Sequence, residues 1–473
     1  MNKKRLLFAS SEVYPFVKTG GLADVSHSLP RALKERYDVS VVLPLYRLID
    51  RSRFSITLLD TFEISMGGVS YGIELHGTLY EGIEYRFVYE PLLCDREFLY
   101  GPPECGYDDN ALRFGLFSYA VTEMLRRDSF SIAHLNDWQC ALIALLVKED
   151  SSITAKTLYT IHNLAYQGVF ETSVLGRIGI DERYFTMEAL EFYDQVNFMK
   201  AGIAYADSVT TVSPTYAKEI MSAEFGCGLE GFLHVHRRKL HGILNGIDAE
   251  HFSPVHDKGL IACYENAKGK KASKADLLKH LGLKGVTKPL FVFIGRFTHQ
   301  KGMDILIESL PKIAELECNI ALLGEGEGAY HESLSGIAKE NGNICLTFGY
   351  DETFSHRMYA AADFLLMPSL FEPCGLNQMI AFAYGAIPIV TKVGGLADTV
   401  KKIEAFDDES GSGYGIVCTS ATSRSLIAAV KKGCELYGEK RKFEAIVNHN
   451  MKCDYSWSES AKSYDTIYKR LIK

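Results

Sequence analysis

Short apolar segments rich in β-branched and aromatic residues alternate along the chain with segments of helical periodicity. This alternation is typical of a parallel sheet whose strands are joined by crossover helices. The predicted strands are residues 5–10, 39–44, 85–89, 132–135, 157–162, 208–212, 290–295, 319–323, 344–348, 364–368 and 387–390. The rhythm stops at a polar, lysine-rich stretch, residues 256–288, and then restarts. The sequence therefore predicts an α/β fold with two doubly wound domains.

Composition fits such a fold and excludes several classes of protein. The 473 residues are 47% hydrophobic and 23% charged, which argues against a coiled coil or a disordered chain. A net charge of −8 argues against a nucleic-acid partner. The longest apolar run, residues 140–147, is far shorter than the roughly 20 residues of a membrane-spanning helix. We expect a soluble protein with neither nucleic acid nor membrane as a partner.

The N-terminus and the cysteines bear on the compartment. Lys3, Lys4 and Arg5 precede an apolar stretch that ends at Ser10, shorter than the ~7–15 residues of a secretory signal core. The eleven cysteines are odd in number and form no C-x-x-C pair, which argues against a disulfide framework or a structural zinc site. A reducing cytoplasm is the expected location.

The string Gly-Gly-Leu-Ala-Asp occurs twice, at residues 20–24 and 394–398. Each copy follows a predicted strand and opens a helical pattern, so its backbone N–H groups could face an anion or a sugar hydroxyl. An ordinary turn into a helix explains either copy as well. Lys18, just before Gly20 and Gly21, could reach a phosphate or could be a solvated surface lysine. We expect ligands at the carboxyl ends of the strands, in a cleft shared by the two domains.

Two cations follow the strand predicted at residues 290–295. Arg296 and Lys301 stand next to glycines at the carboxyl end of that strand, where they could neutralise a diphosphate leaving group or could be ordinary surface cations. No D-x-D sequence occurs, so an obvious pair of metal-binding carboxylates is missing. This pattern favours charge neutralisation by basic side chains.

Glu372 follows the strand predicted at residues 364–368. It could accept hydrogen bonds from sugar hydroxyls while the next helix offers N–H groups to phosphate, or it could be a surface acid in a turn. Cys374 lacks an evident base nearby in sequence, so a small buried residue is favoured over a nucleophile.

Polar side chains also stand at two strand ends in the first half. His162 and Asn163 end one predicted strand, and Asp137 follows another. Such groups could bind a sugar ring and stabilise positive charge at its anomeric carbon, although a lone histidine at a strand end is more often structural. A Ser-His-Asp hydrolase is set aside as an interpretation of these residues.

Five segments together resemble bacterial glycogen synthases, the ADP-glucose-dependent starch and glycogen synthase family. They are KTGGLADV at residues 18–25, TIHNLAYQG at 160–168, VSPTYA at 212–217, QKG at 300–302 and FEPCGL at 371–376. They occur in order along nearly the whole chain, which makes the resemblance specific.

The resemblance implies the GT-B fold, in which two Rossmann-like domains face each other across a deep cleft. Residues 1–245 would form the acceptor-side domain, residues 246–454 the donor-nucleotide domain, and residues 455–473 a helix that crosses back to the first domain. It also implies transfer of glucose from ADP-glucose to the non-reducing 4-hydroxyl of an α-1,4-glucan, with retention and with neither metal nor cofactor.

Site residues carried over from the family are expectations of the same kind. Arg296 and Lys301 would hold the donor diphosphate, and His162 and Asp137 would lie at the reacting carbon. Glu372 would bind glucose hydroxyls. The remaining predicted donor-binding residues are Lys18, Gly20, Gly21, Asn163, Asn245, Tyr350, which would stack on adenine, Cys374, Gly375, Leu376 and Asn377.

The sequence departs from the family pattern at three places. Asn136 and Gln139 flank Asp137-Trp138 where relatives more often have histidine, which puts acceptor or supporting contacts in doubt. Asn377 replaces an expected threonine, a modest change for a contact made partly by backbone. Ile380 stands eight residues after Glu372, so the paired-glutamate signature of more distant retaining relatives is incomplete.

Other functions remain possible from the residues. A nucleotide-sugar epimerase or an α-glucan phosphorylase could use a similar two-domain frame, although a phosphorylase needs a cofactor lysine and a longer chain. A glucan-binding protein with a decayed site is the non-enzyme alternative.

Overall fold

A computed structural model describes residues 3–102, 105–326, 328–349 and 351–473. Its contacts divide the chain into two compact units. The first unit contains the described residues up to Val212, together with Ala217–Ile243 and Ser460–Lys473. The second contains Ser213–Tyr216 and Leu244–Glu459. The domain boundaries expected after residues 245 and 454 stay a prediction.

Twelve strands of the first unit are found among the described residues. They are β1 (Lys4–Ala9), β2 (Tyr37–Pro44), β3 (Thr57–Met66), β4 (Val69–Tyr80), β5 (Ile83–Tyr89), β6 (Ile132–Asn136), β7 (Lys156–Ile161), β8 (Val169–Phe170), β9 (Glu191–Phe192), β10 (Gln195–Asn197), β11 (Ser208–Thr211) and β12 (Leu240–Gly242). Nine form one sheet in the order β12-β11-β7-β6-β1-β2-β5-β4-β3, and β8-β10-β9 form a small second sheet.

The helices that lie wholly or partly in this unit are α1 (Gly21–Leu33), α2 (Pro91–Cys94), α3 (Asn110–Arg127), α4 (Asp137–Glu149), α5 (Val174–Ile178), α6 (Phe198–Tyr205), α7 (Pro214–Glu219), α8 (Glu230–Val235) and α17 (Trp457–Leu471). Two short 3₁₀ helices span Glu182–Tyr184 and Arg237–Lys239.

The central strands are covered on both faces. In β1 the side chains from Leu6 to Ala9 are fully buried, and the strand pairs in parallel with β2 and β6, where Leu7 faces Ser40 and Ala133. Strands with both faces buried have continuous apolar runs in their sequence, which is why they could be predicted from the sequence. The six predicted strands of this half are confirmed.

The antiparallel edge of this sheet was missed by the sequence prediction, which expected only parallel strands. β3 pairs antiparallel with β4, and β4 pairs antiparallel with β5. β3 is mostly exposed, so its sequence has no apolar run, and β4 carries glycines that weaken the strand pattern.

The C-terminal helix that the resemblance implied within residues 455–473 is observed as α17, and its residues from Ser460 onward belong to the first unit. The Tyr468 hydroxyl lies 2.7 Å from His134 Nδ1. Tyr37 donates to Asp465 over 2.8 Å. These contacts are buried, so one face of α17 packs into a core.

The second unit is built on one parallel sheet, in the order β15-β14-β13-β16-β17-β19-β18. Its strands are β13 (Leu290–Ile294), β14 (Asn319–Gly324), β15 (Ile344–Phe348), β16 (Phe364–Met367), β17 (Ile387–Val390), β18 (Val400–Lys402) and β19 (Gly413–Val417). The five predicted strands are confirmed. β18 and β19 were missed because they follow a short helix and a polar loop instead of a clear apolar run.

The helices of this unit are α9 (Lys270–His280), α10 (Met303–Ala314), α11 (Gly328–Glu340), α12 (Glu352–Ala361), α13 (Asn377–Ala383), α14 (Gly394–Thr399), α15 (Ser423–Gly438) and α16 (Lys440–Asn450). Two 3₁₀ helices span His299–Lys301 and Ile403–Ala405. The core includes the stacked rings of Phe291 and Phe364, whose centroids lie 4.8 Å apart. No described helix is long and apolar enough to cross a membrane.

Candidate active site

Two neighbouring strand ends in the first unit bring Asp137 and His162 together. Asp137 begins α4 directly after β6, and His162 follows β7. The Asp137 Oδ1 atom accepts a hydrogen bond of 2.8 Å from the His162 main-chain nitrogen. The pairing of β6 with β7 is parallel, so residues that follow the two strands meet at one sheet edge.

The Asp137 carboxylate is partly buried, and its backbone has an unusual conformation. Its φ of 54° lies in the left-handed region, which aspartate and asparagine tolerate better than most residues. Burial raises the pKa of Asp137 to about 7, against opposing hydrogen bonds from the main-chain nitrogens of His162 and Asn163. Asp137 therefore changes charge near neutral pH, which is a property of functional carboxylates.

His162 is held as a neutral ring. Burial lowers the pKa of His162 to about 3. Its Nε2 atom lies 2.9 Å from Asn136 Oδ1, while Asn136 Nδ2 donates to the Ala9 carbonyl. An amide oxygen only accepts, so Nε2 carries the proton and Nδ1 is the acceptor nitrogen of the ring. Asn136, which departs from the family pattern, thus orients His162.

Hydrogen bonds to Glu12 hold the segment around Gly20 and Gly21. The sequence analysis missed Glu12. The buried Glu12 carboxylate accepts from the main-chain nitrogens of Thr19 (2.5 Å) and Gly20 (3.2 Å) and from the Tyr100 hydroxyl (3.2 Å). Burial raises the pKa of Glu12 in spite of these hydrogen bonds. Its position shortly after β1 was the one sequence feature that could have indicated a role for Glu12.

Gly20 and Gly21 differ from the second glycine pair in what surrounds them. A Cβ atom added at either residue would meet nothing within 4 Å, and Gly20 has an ordinary φ of −155°. A Cβ at Gly394 would lie 2.0 Å from the Glu372 carbonyl oxygen, and one at Gly395 2.0 Å from that of Cys374. The fold therefore demands the second pair but leaves open space beside the first.

Lys18 and Asn163 already have partners in this unit. Lys18 Nζ lies 2.7 Å from Asp24 Oδ1, with both side chains about one-third exposed. Asn163 Oδ1 accepts from the main-chain nitrogen of Ala165 over 3.0 Å, a local turn. An exposed ion pair of this kind contributes little stability and can exchange for another anion.

In the second unit, the residue predicted to bind the diphosphate, Lys301, and the residue predicted to bind the sugar, Glu372, are neighbours. Lys301 Nζ lies 2.6 Å from Glu372 Oε2, and Ser369 Oγ donates to the same oxygen over 3.0 Å. Glu372 is buried, whereas the Lys301 side chain is 21% exposed. Ser369, which follows β16, was not predicted. Arg296 is exposed and makes no ion pair with a described residue.

Hydrogen bonds to main-chain carbonyls connect the segments that carry Lys301 and Glu372 to each other and to the end of β13. Asn377 Nδ2 donates to the Ile294 carbonyl at the end of β13 over 2.7 Å. Leu370 N donates to the Gln300 carbonyl over 2.9 Å. Asn377, at the first turn of α13 after Leu376, therefore ties that helix to the loop that carries Arg296 and Lys301.

The remaining predicted residues have mixed environments. Gly375 has a left-handed φ of 71°, so glycine is favoured there by the backbone. Burial raises the pKa of Cys374 to about 12, which favours its interpretation as a buried residue over a nucleophile. Asn245 is buried, and its Oδ1 has no hydrogen-bond partner among the described residues. Tyr350 lies outside the described residues.

Comparisons with known proteins agree with this picture. Residues 5–235 match the starch synthase catalytic domain family, and residues 279–444 match the glycosyl transferases group 1 family. A glycogen synthase from Aquifex aeolicus (strain VF5) is 42% identical, with 99% of each chain covered. One from Geotalea uraniireducens (strain Rf4) is 39% identical, with 98% of each chain covered.

Solved structures give the fold. The catalytic domain of starch synthase IV from Arabidopsis thaliana, bound to ADP and acarbose, matches with a TM-score of 0.90 and 33% identity over 100% of both chains. The sucrose-phosphate synthase of Thermosynechococcus elongatus matches with a TM-score of 0.63 and 16% identity over 99% of both chains, a likeness of fold alone. The chain has the two-domain GT-B architecture, and it belongs to the glycogen synthase family of retaining glycosyltransferases.

Proposed function

We propose that the protein transfers glucose from ADP-glucose to the 4-hydroxyl of the non-reducing end of an α-1,4-glucan, with retention, and lengthens the glucan by one glucose. Full-length similarity to glycogen synthases supports the reaction. The ADP in the starch synthase structure supports adenine as the donor base, and its acarbose supports a glucan acceptor.

The observation that carries the proposal is the Lys301–Glu372 pair at the strand ends of the second unit. Departure of ADP leaves negative charge on the diphosphate, and a lysine and an arginine beside it can neutralise that charge. Lys301 is held by a buried carboxylate, which fixes its position. Glu372 retains a second carboxylate oxygen that can accept from glucose hydroxyls.

On the acceptor side, the proposal rests on Asp137, His162 and a nearby aromatic cavity. Trp138, Tyr166, Phe170 and Phe192 are among the residues that line this cavity. Their rings offer apolar faces to the C–H faces of sugars, as Trp and Tyr do at other interfaces with amphipathic partners. Neutral His162, and Asp137 in its ionised form, are suited to stabilise positive charge at C1 of the transferred glucose.

Transfer would take place on the face from which ADP departs. The bond between glucose C1 and the phosphate oxygen breaks, the acceptor O4 bonds to C1, and its proton goes to the departing phosphate. This route needs no carboxylate nucleophile on the opposite face of the sugar. Lys18 and the backbone of Gly20 and Gly21 are proposed as donor-binding groups of the first unit.

The reaction as proposed needs no metal and no cofactor, because basic side chains take the part of a divalent ion. A cytoplasmic location is proposed with it, supported by the eleven free cysteines and by the kind of substrate. Neither nucleic acid nor membrane is a proposed partner.

Incubation with labelled ADP-glucose or UDP-glucose, with and without glycogen, tests the proposal. We expect label in the polymer, a preference for ADP-glucose, and no label transfer without glucan. Free sugar released without glucan would indicate an epimerase. Incorporation from glucose 1-phosphate instead of a nucleotide sugar would indicate a phosphorylase, and binding of ADP-glucose or glucan without turnover would indicate a decayed site.

A further inference from the structure

A cluster of two histidines and one glutamate lies in the second unit, apart from the residues given a role above. His251 stands in the loop after Asp248, whereas Glu352 and His356 are four residues apart on α12. One potential ligand atom from each of the three side chains lies within 4.8 Å of the others. Residues four apart on a helix share one face, which explains why Glu352 and His356 point together.

His356 supplies a second, independent observation. Its side chain is 7% exposed, and its Nε2 atom has no hydrogen-bond partner among the described residues. A buried nitrogen without a partner is costly unless a ligand satisfies it. The His251 ring lies close to it, 5.0 Å from the His356 ring between centroids.

The other nitrogen of His356 is bound in the manner found at metal sites. Nδ1 lies 2.8 Å from Asp257 Oδ2, and a carboxylate only accepts, so Nδ1 carries the proton. Tyr384 donates to the same Asp257 oxygen over 2.6 Å. A histidine that donates one ring N–H to a carboxylate presents the lone pair of its other nitrogen to a metal ion.

We propose that His251, Glu352 and His356 bind one Zn²⁺ ion, with water as the fourth ligand. Two imidazoles and a carboxylate suit zinc better than magnesium or calcium, which prefer oxygen ligands. Tetrahedral zinc with bonds of about 2.0–2.1 Å needs ligand atoms about 3.3 Å apart, so the cluster closes on binding. The His251 and Glu352 side chains are about 40% exposed and can move, while buried His356 stays fixed.

The ion would join the loop at His251 to the first turn of α12. The site is structural: it contains none of the residues assigned to glucosyl transfer, so the proposed reaction remains independent of it. α12 begins two residues after Tyr350, which is expected to stack on adenine. A more stable start of α12 is therefore the expected effect.

Zinc titration of the chelator-treated, full-length protein tests the site. Calorimetry with Zn²⁺ alone should give one ion per chain, and the melting temperature should rise with Zn²⁺. His251→Ala and Glu352→Gln alter exposed side chains, so they should fold normally yet bind Zn²⁺ at least about tenfold more weakly and lose the thermal shift. Asp257→Asn, a change in a positioning residue, should weaken binding about 10–100-fold.

Two controls make the result specific. His76 also contacts a glutamate, Glu74, over 2.8 Å, but no described residue offers a third ligand there, so His76→Ala should leave Zn²⁺ binding unchanged. Cys263 has an exposed thiol and lies near His251 in the sequence, so it could bind Zn²⁺ in place of the proposed residues. If the proposed residues are the ligands, Cys263→Ser should bind Zn²⁺ normally. Wild-type affinity in both His251→Ala and Glu352→Gln, or loss of binding in Cys263→Ser, would overturn the proposal.

Discussion

The Asp137 carboxylate accepts a hydrogen bond of 2.8 Å from the main-chain nitrogen of His162 at a partly buried position. The bond joins two adjacent strand ends of the first unit. Because no described residue forms an ion pair with Asp137 that would offset its desolvation, its ionised form is costly in the folded protein. This contact ties the stability of the unit to pH.

Asp137→Asn should stabilise the protein at high pH. The pKa of Asp137 in the folded state is about 7, above its ordinary 3.8, so the folded protein binds this proton more tightly than the unfolded chain. The resulting cost grows as pH rises from about 4 to about 7 and is fully present above that. Asparagine keeps the acceptor oxygen and tolerates the positive φ.

Denaturant unfolding of both proteins at about pH 5 and about pH 8 measures this effect. The advantage of Asp137→Asn should grow by roughly 2–3 kcal/mol between the two values, while glucosyl transfer falls. Asp60→Asn, an exposed change, serves as the control. An advantage that does not vary with pH would contradict the assigned pKa shift.

Lys301→Ala should lower kcat by about 10²–10³, or roughly 2.7–4 kcal/mol, because it removes a positive group from the departing diphosphate. Arg296→Ala should have an effect of similar size. Steady-state kinetics with ADP-glucose and glycogen give the values. Lys312→Ala, which breaks an exposed pair with Glu315, should keep normal turnover. Near-normal turnover of Lys301→Ala would refute the role of this lysine.

Gly20→Ala and Gly395→Ala should fail in different ways. Space is open beside Gly20, so its variant should fold with an unchanged melting temperature but bind ADP-glucose weakly, because the methyl group would occupy space that the proposed function gives to the donor. At Gly395 the methyl group would strike the Cys374 carbonyl, so that variant should lose stability. Thermal melts and calorimetry separate the two. Unchanged donor binding by Gly20→Ala would remove this glycine from the site.

Glu12→Gln tests whether the hydrogen bonds to Glu12 position the segment that contains Gly20 and Gly21. The amide has one acceptor oxygen where the carboxylate has two, so at least one of the hydrogen bonds from Thr19, Gly20 and Tyr100 should weaken. We expect KM for ADP-glucose to rise roughly tenfold, the effect of about 1.4 kcal/mol, with kcat less affected. An unchanged KM would indicate that Glu12 only fills the core.

The parallel strands could be predicted from sequence because burial on both faces leaves continuous apolar runs. β3 and β4 could not, because they are largely exposed or interrupted by glycine. The lysine-rich stretch was read only as polar, yet Lys274 in α9 is buried against Asp363. A charge that is paired in three dimensions has no distinctive sequence pattern.

In the candidate site, too, only residues with a distinctive sequence pattern could be predicted. Glycines, cations and acids that follow strands were predicted from order along the chain. Glu12 and Ser369 were not, because their role depends on which atoms they reach. The two Gly-Gly-Leu-Ala-Asp copies are identical in sequence, and only the surroundings distinguish a pair required by packing from a pair beside open space.

The initial rate of ADP-glucose-dependent glucan elongation, measured with and without EDTA, is the most direct test of the account. Basic side chains are assigned the charge neutralisation that other transferases give to a divalent ion. The rate should therefore be the same in EDTA, and Lys301→Ala should remain slow when Mg²⁺ or Mn²⁺ is added. Loss of elongation in EDTA, restored by either ion, would contradict the account.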